Sequence, residues 1–512
     1  MPRWPVLLLL LAACRPAQPP GTVVFASGAD LQSMNPLFTT HPLAKQVQRY
    51  AVLMTLVRYD TTLGMQPYLA QRWTWSADRR RLVLALRDDV AWDDGTPTTS
   101  ADVAFTLRAA ADAATGYPRR SELACLTAVS APTARDVTLD FCRAQPGVPD
   151  VLADLAILPA RPFAGMRDDA LHGAAWNDAP TGNGPYRVVA HVPNQRWVLE
   201  ANPRFPRALG GPPRVRRLVI AVVDEPTTKL AGLVSGELDV AGIAPMHASV
   251  VGRIAGRRVV DYPLLLTYGL AWNTSRAPFD DARLRRALTM ALDRRQIVDA
   301  YLYGFGEVAD GPVPAAHPLA AAVPRIRFDP VAAGAALDSL GWRRGADGVR
   351  EQAGRRLAFT LTTVGTSDNV LEQLIQADLA AVGVEVRIRQ LELGTFLALA
   401  QGGTRDYDAL VVGITGDLAL GYLDALFDSR RRGEPLQYAQ YADPAVDRAL
   451  DAGDLAAVQR IVARDVPITF LYHARGVQGM NTRLDGVRMD LRGELATLTG
   501  WRLEGTRMEG GQ

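Results

Sequence analysis

The stretch from 357 to 417 constrains the fold more than any other part of this 512-residue chain. Leu357 to Thr363 reads as a strand, and Asn369 to Val382 as a helix ending at Gly383. Val384, Val386 and Ile388 alternate with Glu385, Arg387 and Arg389, which is the period of a second strand. Asp408 to Thr415 is nearly continuously apolar, the pattern of a strand covered on both faces. A strand–helix–strand unit followed by another core strand predicts a substantially parallel sheet. In such sheets ligands bind beyond the carboxyl ends of strands. Gly416 and Asp417 stand just past the end of the last strand, so an acid occupies a ligand-facing position.

The remaining elements alternate in the same way. Arg81 to Arg87 reads as a strand, and Ser100 is expected to cap an apolar-periodic helix through Leu107. Asp281 precedes a helix that carries Leu284, Ala287, Leu288, Ala291 and Leu292 on one face. The fold class is therefore α/β. Length suggests roughly two to four structural units. Hydrophobic residues make up 48% and charged residues 21%, a globular balance. The formal charge of +2 gives no reason to expect a polyanionic partner. Of the 56 basic residues only Lys45 and Lys229 are lysines, and the arginines are scattered, so no nucleic-acid surface is indicated.

Residues 1–20 set the compartment. Arg3 precedes an apolar run from Val6 to Ala13, too short to span a bilayer as a helix. The run ends in Leu11-Ala12-Ala13-Cys14, which reads as a secretory leader and resembles a bacterial lipobox. That resemblance implies cleavage before Cys14 and lipid attachment to its sulfur, leaving 14–21 as a tether. Export also bears on Cys125 and Cys142, which flank a hairpin turning at Pro132-Thr133-Ala134-Arg135-Asp136. A disulfide is expected there, on the order of 3 kcal/mol in the chain-entropy model. Two buried free thiols are the alternative.

Catalytic motifs find no foothold. The chain has no Gly-x-Ser-x-Gly elbow, Walker loop, His-Glu-x-x-His or Cys-x-x-Cys. Gly304-Phe305-Gly306-Glu307-Val308-Ala309 fits a loose dinucleotide fingerprint but follows a helix rather than a strand. His41, His172, His191, His247, His317 and His473 show no paired metal-ligand spacing. No enzyme activity, cofactor or metal is expected.

Several segments together resemble the family 5 extracellular solute-binding proteins of bacterial ABC importers, the dipeptide, oligopeptide and nickel binders. They are Pro67 to Trp73, Leu86 to Pro97 with Ala101-Asp102-Val103, Gly182-Asn183-Gly184-Pro185-Tyr186, and Ser235-Gly236-Glu237-Leu238-Asp239-Val240. Asn273-Thr274, Pro278-Phe279-Asp280-Asp281 and Arg285-Arg286-Ala287-Leu288 complete the series in family order. The resemblance implies a two-lobe periplasmic binding protein fold, type II and cluster C-like. Lobe one would take 22–47, 184–268 and 478–505, with an inserted subdomain at 48–183. Lobe two would be 269–477. The crossings would fall near Leu270 to Asn273 and His473 to Gln478, which makes Asn273 and His473 the expected hinge residues.

The resemblance also implies a ligand site. Gly413-Ile414-Thr415-Gly416-Asp417 is similar to a family run whose aspartate pairs with a peptide α-ammonium, so Asp417 would be the anchor, with Gly416 and Thr415 beside it. Trp272 and Tyr268, on one face of a strand entering the hinge, would line the cleft or pack in the core. Ile414 replaces the usual tryptophan. The loop Val364-Gly365-Thr366-Ser367-Asp368-Asn369 lacks the arginine that holds a dipeptide carboxylate. The expected partners are an oligopeptide or peptide-like solute, ABC permease subunits, and the membrane through the lipid anchor at the cell envelope. No nucleic acid is expected, and the chain would act as a monomer. A solute-sensing receptor without import, or a binder of a non-peptide solute, is the alternative.

Overall fold

Alternation at 384–391 and continuous apolarity at 409–415 produce the sheet that they predict. A computed structural model describes residues 19–365, 368–402 and 404–504; Cys14 lies outside them. The strands Ala358–Val364 and Glu385–Leu391 are parallel, with Leu361 opposite Ile388, and the helix Val370–Ala381 joins them. Ala409–Thr415 lies parallel on the other side, Leu361 meeting Ala409. Its side chains divide by parity, as a period of 2.0 requires. Ala409 and Val411 join the core built on Trp272, Phe359 and Ile375. Leu410, Val412 and Ile414 join the opposite core with Phe396, Leu423 and Val458.

These strands form one end of an eleven-stranded sheet. At its other end Thr22–Ser27 runs parallel to Arg217–Val222 and Val240–Gly242, followed by the antiparallel Arg196–Ala201 and Tyr186–Val192. Two long antiparallel strands join the halves: Arg257–Trp272 and Ile468–Asn481, of 16 and 14 residues. At 3.3 Å per residue each spans roughly 45–55 Å, enough to belong to both lobes. Leu266 to Trp272 pairs with Ala409–Thr415 of lobe two. Met480 to Gln478 pairs with Val240–Gly242 of lobe one.

The register between the long strands slips between Pro263 and Thr267. Proline has no N–H to give a ladder, so pairing is interrupted there. The ladder is thus interrupted between Pro263 and Thr267, opposite His473 to Arg475. The expected first crossing, near Leu270 to Asn273, falls a few residues beyond this slip. Leu270 to Asn273 lies inside lobe two, and Asn273 is fully buried there, its Nδ2 donating to the carbonyls of Arg405 (3.0 Å) and Tyr407 (2.9 Å).

A separate four-stranded antiparallel sheet, Ala70–Trp75, Arg81–Leu86, Asp136–Phe141 and Leu126–Ser130, builds the inserted subdomain. Cys125 and Cys142 close its outer hairpin as a disulfide, with Cα atoms 5.0 Å apart. The helix Ser100–Ala111 is capped one residue earlier than expected, at Thr99. The Asp102 carboxylate reaches back to the Thr99 N–H at 2.7 Å, while the Ser100 hydroxyl turns away to Thr133 O. Where the insertion rejoins lobe one, Gly184 passes so close to Ala51 that a Cβ would sit 2.5 Å from its carbonyl oxygen. Asn183 Oδ1 accepts from Met54 N–H at 2.8 Å, which fixes that return.

Asp239, from the Gly-Glu-Leu-Asp segment, also proves structural. It is fully buried, pairs twice with Arg483 at 2.7 Å, and accepts from Val24 N–H at 3.0 Å. The chain's return to lobe one is locked by this pair and by fully buried Trp501.

Candidate functional site

The carboxyl end of Ala409–Thr415 opens on a cavity of about 470 Å³ between the lobes. Thr415, Gly416 and Asp417 line it from lobe two, and Leu264 to Leu266 line it from the crossing strand. Lys45 faces them from lobe one, with Arg49, Arg119, Asp150 and Asp154 from the insertion and Asp490 to Glu494 from the returning chain. Both lobes, the insertion and the first long strand thus contribute to one cavity of small-ligand size.

The local sequence fixes the lobe-two wall. Gly416 donates its N–H to Leu265 O at 2.7 Å, tying the strand end to the crossing. A Cβ on Gly416 would fall 2.8 Å from the Tyr422 ring, so only glycine allows the turn. Asp417 then accepts from the N–H groups of Ala419 (2.9 Å), Gly421 (3.0 Å) and Tyr422 (3.0 Å). The carboxylate caps the short helix Tyr422–Phe427 and is held rigidly against the cavity. Capping and lining the cleft coexist, since two carboxylate oxygens offer about four acceptor sites.

On the opposite wall Asp154 receives one oxygen contact each from Arg49 and Arg119, with Lys45 Nζ 3.7 Å away. Burial alone would raise the Asp154 pKa, but the three surrounding cations hold it at about 2. Arg119 also donates from Nη2 to Glu122 Oε2 at 2.8 Å. Asp150 accepts from the Tyr59 hydroxyl. Burial raises the pKa values of Asp150 and Glu122, and the charge of Asp417 across the gap raises both further. The cleft therefore has acids on both walls and a cation cluster on one.

Trp272 and Tyr268 are not among the residues lining this cavity and pack in the core, the second of their two expected placements. Trp272 is fully buried in lobe two, stacks on Phe279 with centroids 5.0 Å apart, and donates from Nε1 to Thr469 Oγ1 at 2.9 Å. Tyr268 stacks on Tyr472 at 5.0 Å and packs against the same core. Both share one strand face, but that face is the one covered by helices. His473 sits at the crossing, buried, with Nδ1 2.8 Å from Thr267 Oγ1. Lys45, Arg49, Arg119, Asp150 and Asp154 carry no motif in the sequence. The one available signal was Lys45, a rare lysine in an arginine-rich chain.

A second depression of about 880 Å³ lies between Trp92 and Trp176. All its lining residues fall within 92–181, so an occupant would touch the insertion alone and could not sense lobe closure.

A cleft walled by both lobes and lined by the first of the long strands that join them is the geometry of a two-lobe solute-binding protein. The family model "Bacterial extracellular solute-binding proteins, family 5 Middle" matches residues 64–433, and the chain belongs to this family. Protein XP55 of Streptomyces lividans is 31% identical over 476 residues, 89% of this chain and 85% of that protein. The nickel-binding periplasmic protein of Escherichia coli is 27% identical over 418 residues, 77% of each chain. The fold is shared with the oligopeptide-binding protein AppA from Bacillus subtilis in complex with a nonapeptide. There the TM-score is 0.75 at 22% identity, covering 94% of this chain and 98% of that one.

Proposed function

We propose that this chain is the extracytoplasmic, lipid-anchored substrate-binding component of an ABC importer. It captures a peptide-like solute between its hinged lobes and presents the closed form to a permease. The observation that carries this reading is the placement of Asp417, held by three backbone N–H groups at the rim of lobe two and lining the interlobe cavity. A fixed anion suits a desolvated ammonium, which is costly to bury without one. The oligopeptide-binding relative supports a peptide as the solute.

The mechanism follows from the crossing strands. A solute bridging Asp417 on lobe two and the facing wall makes its full contacts only when the lobes are closed. Its differential affinity for that state shifts the hinge equilibrium, with backbone rotation confined to Pro263–Thr267 and His473–Arg475. Binding is reversible and changes no covalent bond. Native mass spectrometry of the purified protein tests the reading through the solute that co-purifies. A peptide or an amine-bearing peptide analogue is expected, and a solute without a cationic group would overturn it.

A further inference from the structure

The end of the large sheet at which Thr22–Ser27 begins is ringed by arginines. Thr22 opens its strand level with Arg217 of the parallel neighbour, and the two long strands reach the same end, where Arg257 stands opposite Asn481. Arg216 lays its stem against Gly21, 3.3 Å from where a Cβ would stand, and Arg483 donates from Nη2 to Thr22 O at 3.1 Å. The chain therefore leaves through Pro19 beside both side chains. Arg207 and Arg214 are exposed on the loop that joins Arg196–Ala201 to Arg217–Val222. Arg253 is exposed on the loop that leads into Arg257–Trp272.

The acids at this end do not cancel the charge. Glu200 serves both Arg187 and Arg217, Asp239 serves Arg483, and Asp485 serves Arg502. Glu237 and Glu504 lie here too, and Asp93 and Asp94 close the patch on the insertion's side, where Arg204 donates to Asp93 O at 2.8 Å. Arg257 and Arg258 give N–H groups to the carbonyls of Gly256 (2.8 Å) and Leu484 (3.0 Å). Arg207, Arg214, Arg216 and Arg253 are exposed and pair with no carboxylate among the described residues. These eleven arginines stand against seven acids in a chain whose formal charge is +2, so positive charge is concentrated at this end.

We propose that this arginine end seats the protein on an anionic lipid surface. The inference rests on the reading of Cys14 as the lipid anchor, which leaves five residues from the anchor to Pro19. Five residues span at most about 17 Å, so the anchored protein holds Arg216 within roughly two Debye lengths of the headgroups. Lipid phosphates attract each arginine that reaches them, and the anchor has already removed most of the entropy cost of bringing them together. Planar guanidinium forks match phosphate oxygens in pairs. The cavity lies the other way. Leu264 to Leu266 stand seven to nine residues along the strand from Arg257, roughly 25 Å from the seated end. A seated protein thus holds its cleft clear of the headgroups.

The test titrates the purified full chain, carrying Cys14→Ser so that no lipid contributes, with vesicles of phosphatidylcholine alone or mixed in equal parts with phosphatidylglycerol. The patch variant combines Arg207→Gln, Arg214→Gln, Arg216→Gln and Arg253→Gln. A control of equal charge combines Arg389→Gln, Arg432→Gln, Arg448→Gln and Arg460→Gln, all exposed on lobe two. Residues 1–18 are common to every protein compared, so their share cancels. The parent is expected to prefer the anionic vesicles by roughly a hundredfold or more, at about fivefold for each arginine in contact, and added salt should erase the preference. The patch variant should lose most of it, while the control and a patch of four Arg→Lys changes should keep it. Equal losses in the patch and control variants, or a parent that binds both vesicles alike, overturn the proposal. The anchor reading fails separately. A chain that takes no lipid at Cys14 in cells, yet keeps its patch-dependent preference for anionic vesicles, upholds the surface and removes the anchor.

Discussion

Nδ1 of His473 lies 2.8 Å from Oγ1 of Thr267, joining the two long strands where they leave one lobe for the other. Burial depresses the His473 pKa from 6.5 to about 4, so the imidazole is neutral in the folded protein at neutral pH. An unfolded histidine binds its proton near pH 6.5, so between pH 6.5 and 4 the unfolded chain holds more protons. Stability from this group is complete above that window and falls as the pH drops through it, by about 3 kcal/mol. Denaturant unfolding at stepped pH should show the parent losing more stability than His473→Asn across the window. Parallel curves would show that His473 is not held neutral.

Asp154 presents the opposite case. Its carboxylate is 14% exposed and compensates Arg49, Arg119 and Lys45. Removing the anion leaves these cations facing one another, which for a buried pair typically costs about 3–5 kcal/mol. Asp154→Asn should therefore lower the unfolding midpoint strongly, whereas Asp406→Asn, whose partner Arg276 is 46% exposed, should change it little. Similar midpoints for the two variants would refute the compensating role of Asp154.

The disulfide between Cys125 and Cys142 closes a hairpin whose residues do not line the interlobe cavity. Replacing both cysteines by serine is expected to reduce stability by about 3 kcal/mol. Solute affinity should be unchanged. A parallel loss of affinity in calorimetric titration would mean that the insertion transmits strain to the cleft.

Periodicity made the lobe-two sheet legible, because 357–417 carries both the strand and the helix pattern with little overlap. The same alternation put Tyr268 and Trp272 on one strand face but carries no mark of which face helices cover. The slip in the ladder stands several residues before the expected first crossing, beside Pro263. A proline inside an apolar run reads as an edge or a bulge, not as a hinge, until its partner strand is known. The cation cluster was hidden for a different reason. Lys45, Arg49, Arg119 and Asp154 come from segments up to 109 residues apart and meet only through the insertion's packing.

Cys14 belongs to the proposed envelope anchoring. Cells expressing the parent should incorporate radiolabelled fatty acid into the protein and retain it in the membrane fraction. Cys14→Ser should abolish the label and lower the share of the protein in the membrane fraction. Continued lipid labelling of the serine variant would remove Cys14 from that role.

Asp417 and Trp272 separate binding from packing. Asp417→Asn keeps a carbonyl oxygen for the N–H groups of Ala419 and Gly421 but removes the negative charge and the acceptor for Tyr422 N–H. Loss of a charge-assisted contact to the solute should weaken affinity roughly tenfold or more, while the weakened cap costs about 1 kcal/mol of stability. Trp272→Phe keeps most of the apolar contact with Phe279 and Phe359 but removes the hydrogen bond from Nε1 to the Thr469 hydroxyl, which retains its bond to Thr289 Oγ1 at 2.6 Å. Its cost, about 1–3 kcal/mol, should appear in unfolding and leave affinity near the parent value. Titration of the co-purified solute against both variants, beside their denaturation curves, gives the four numbers needed. If Trp272→Phe lost more affinity than Asp417→Asn, the cleft would have to be redrawn around the strand face that here packs against helices.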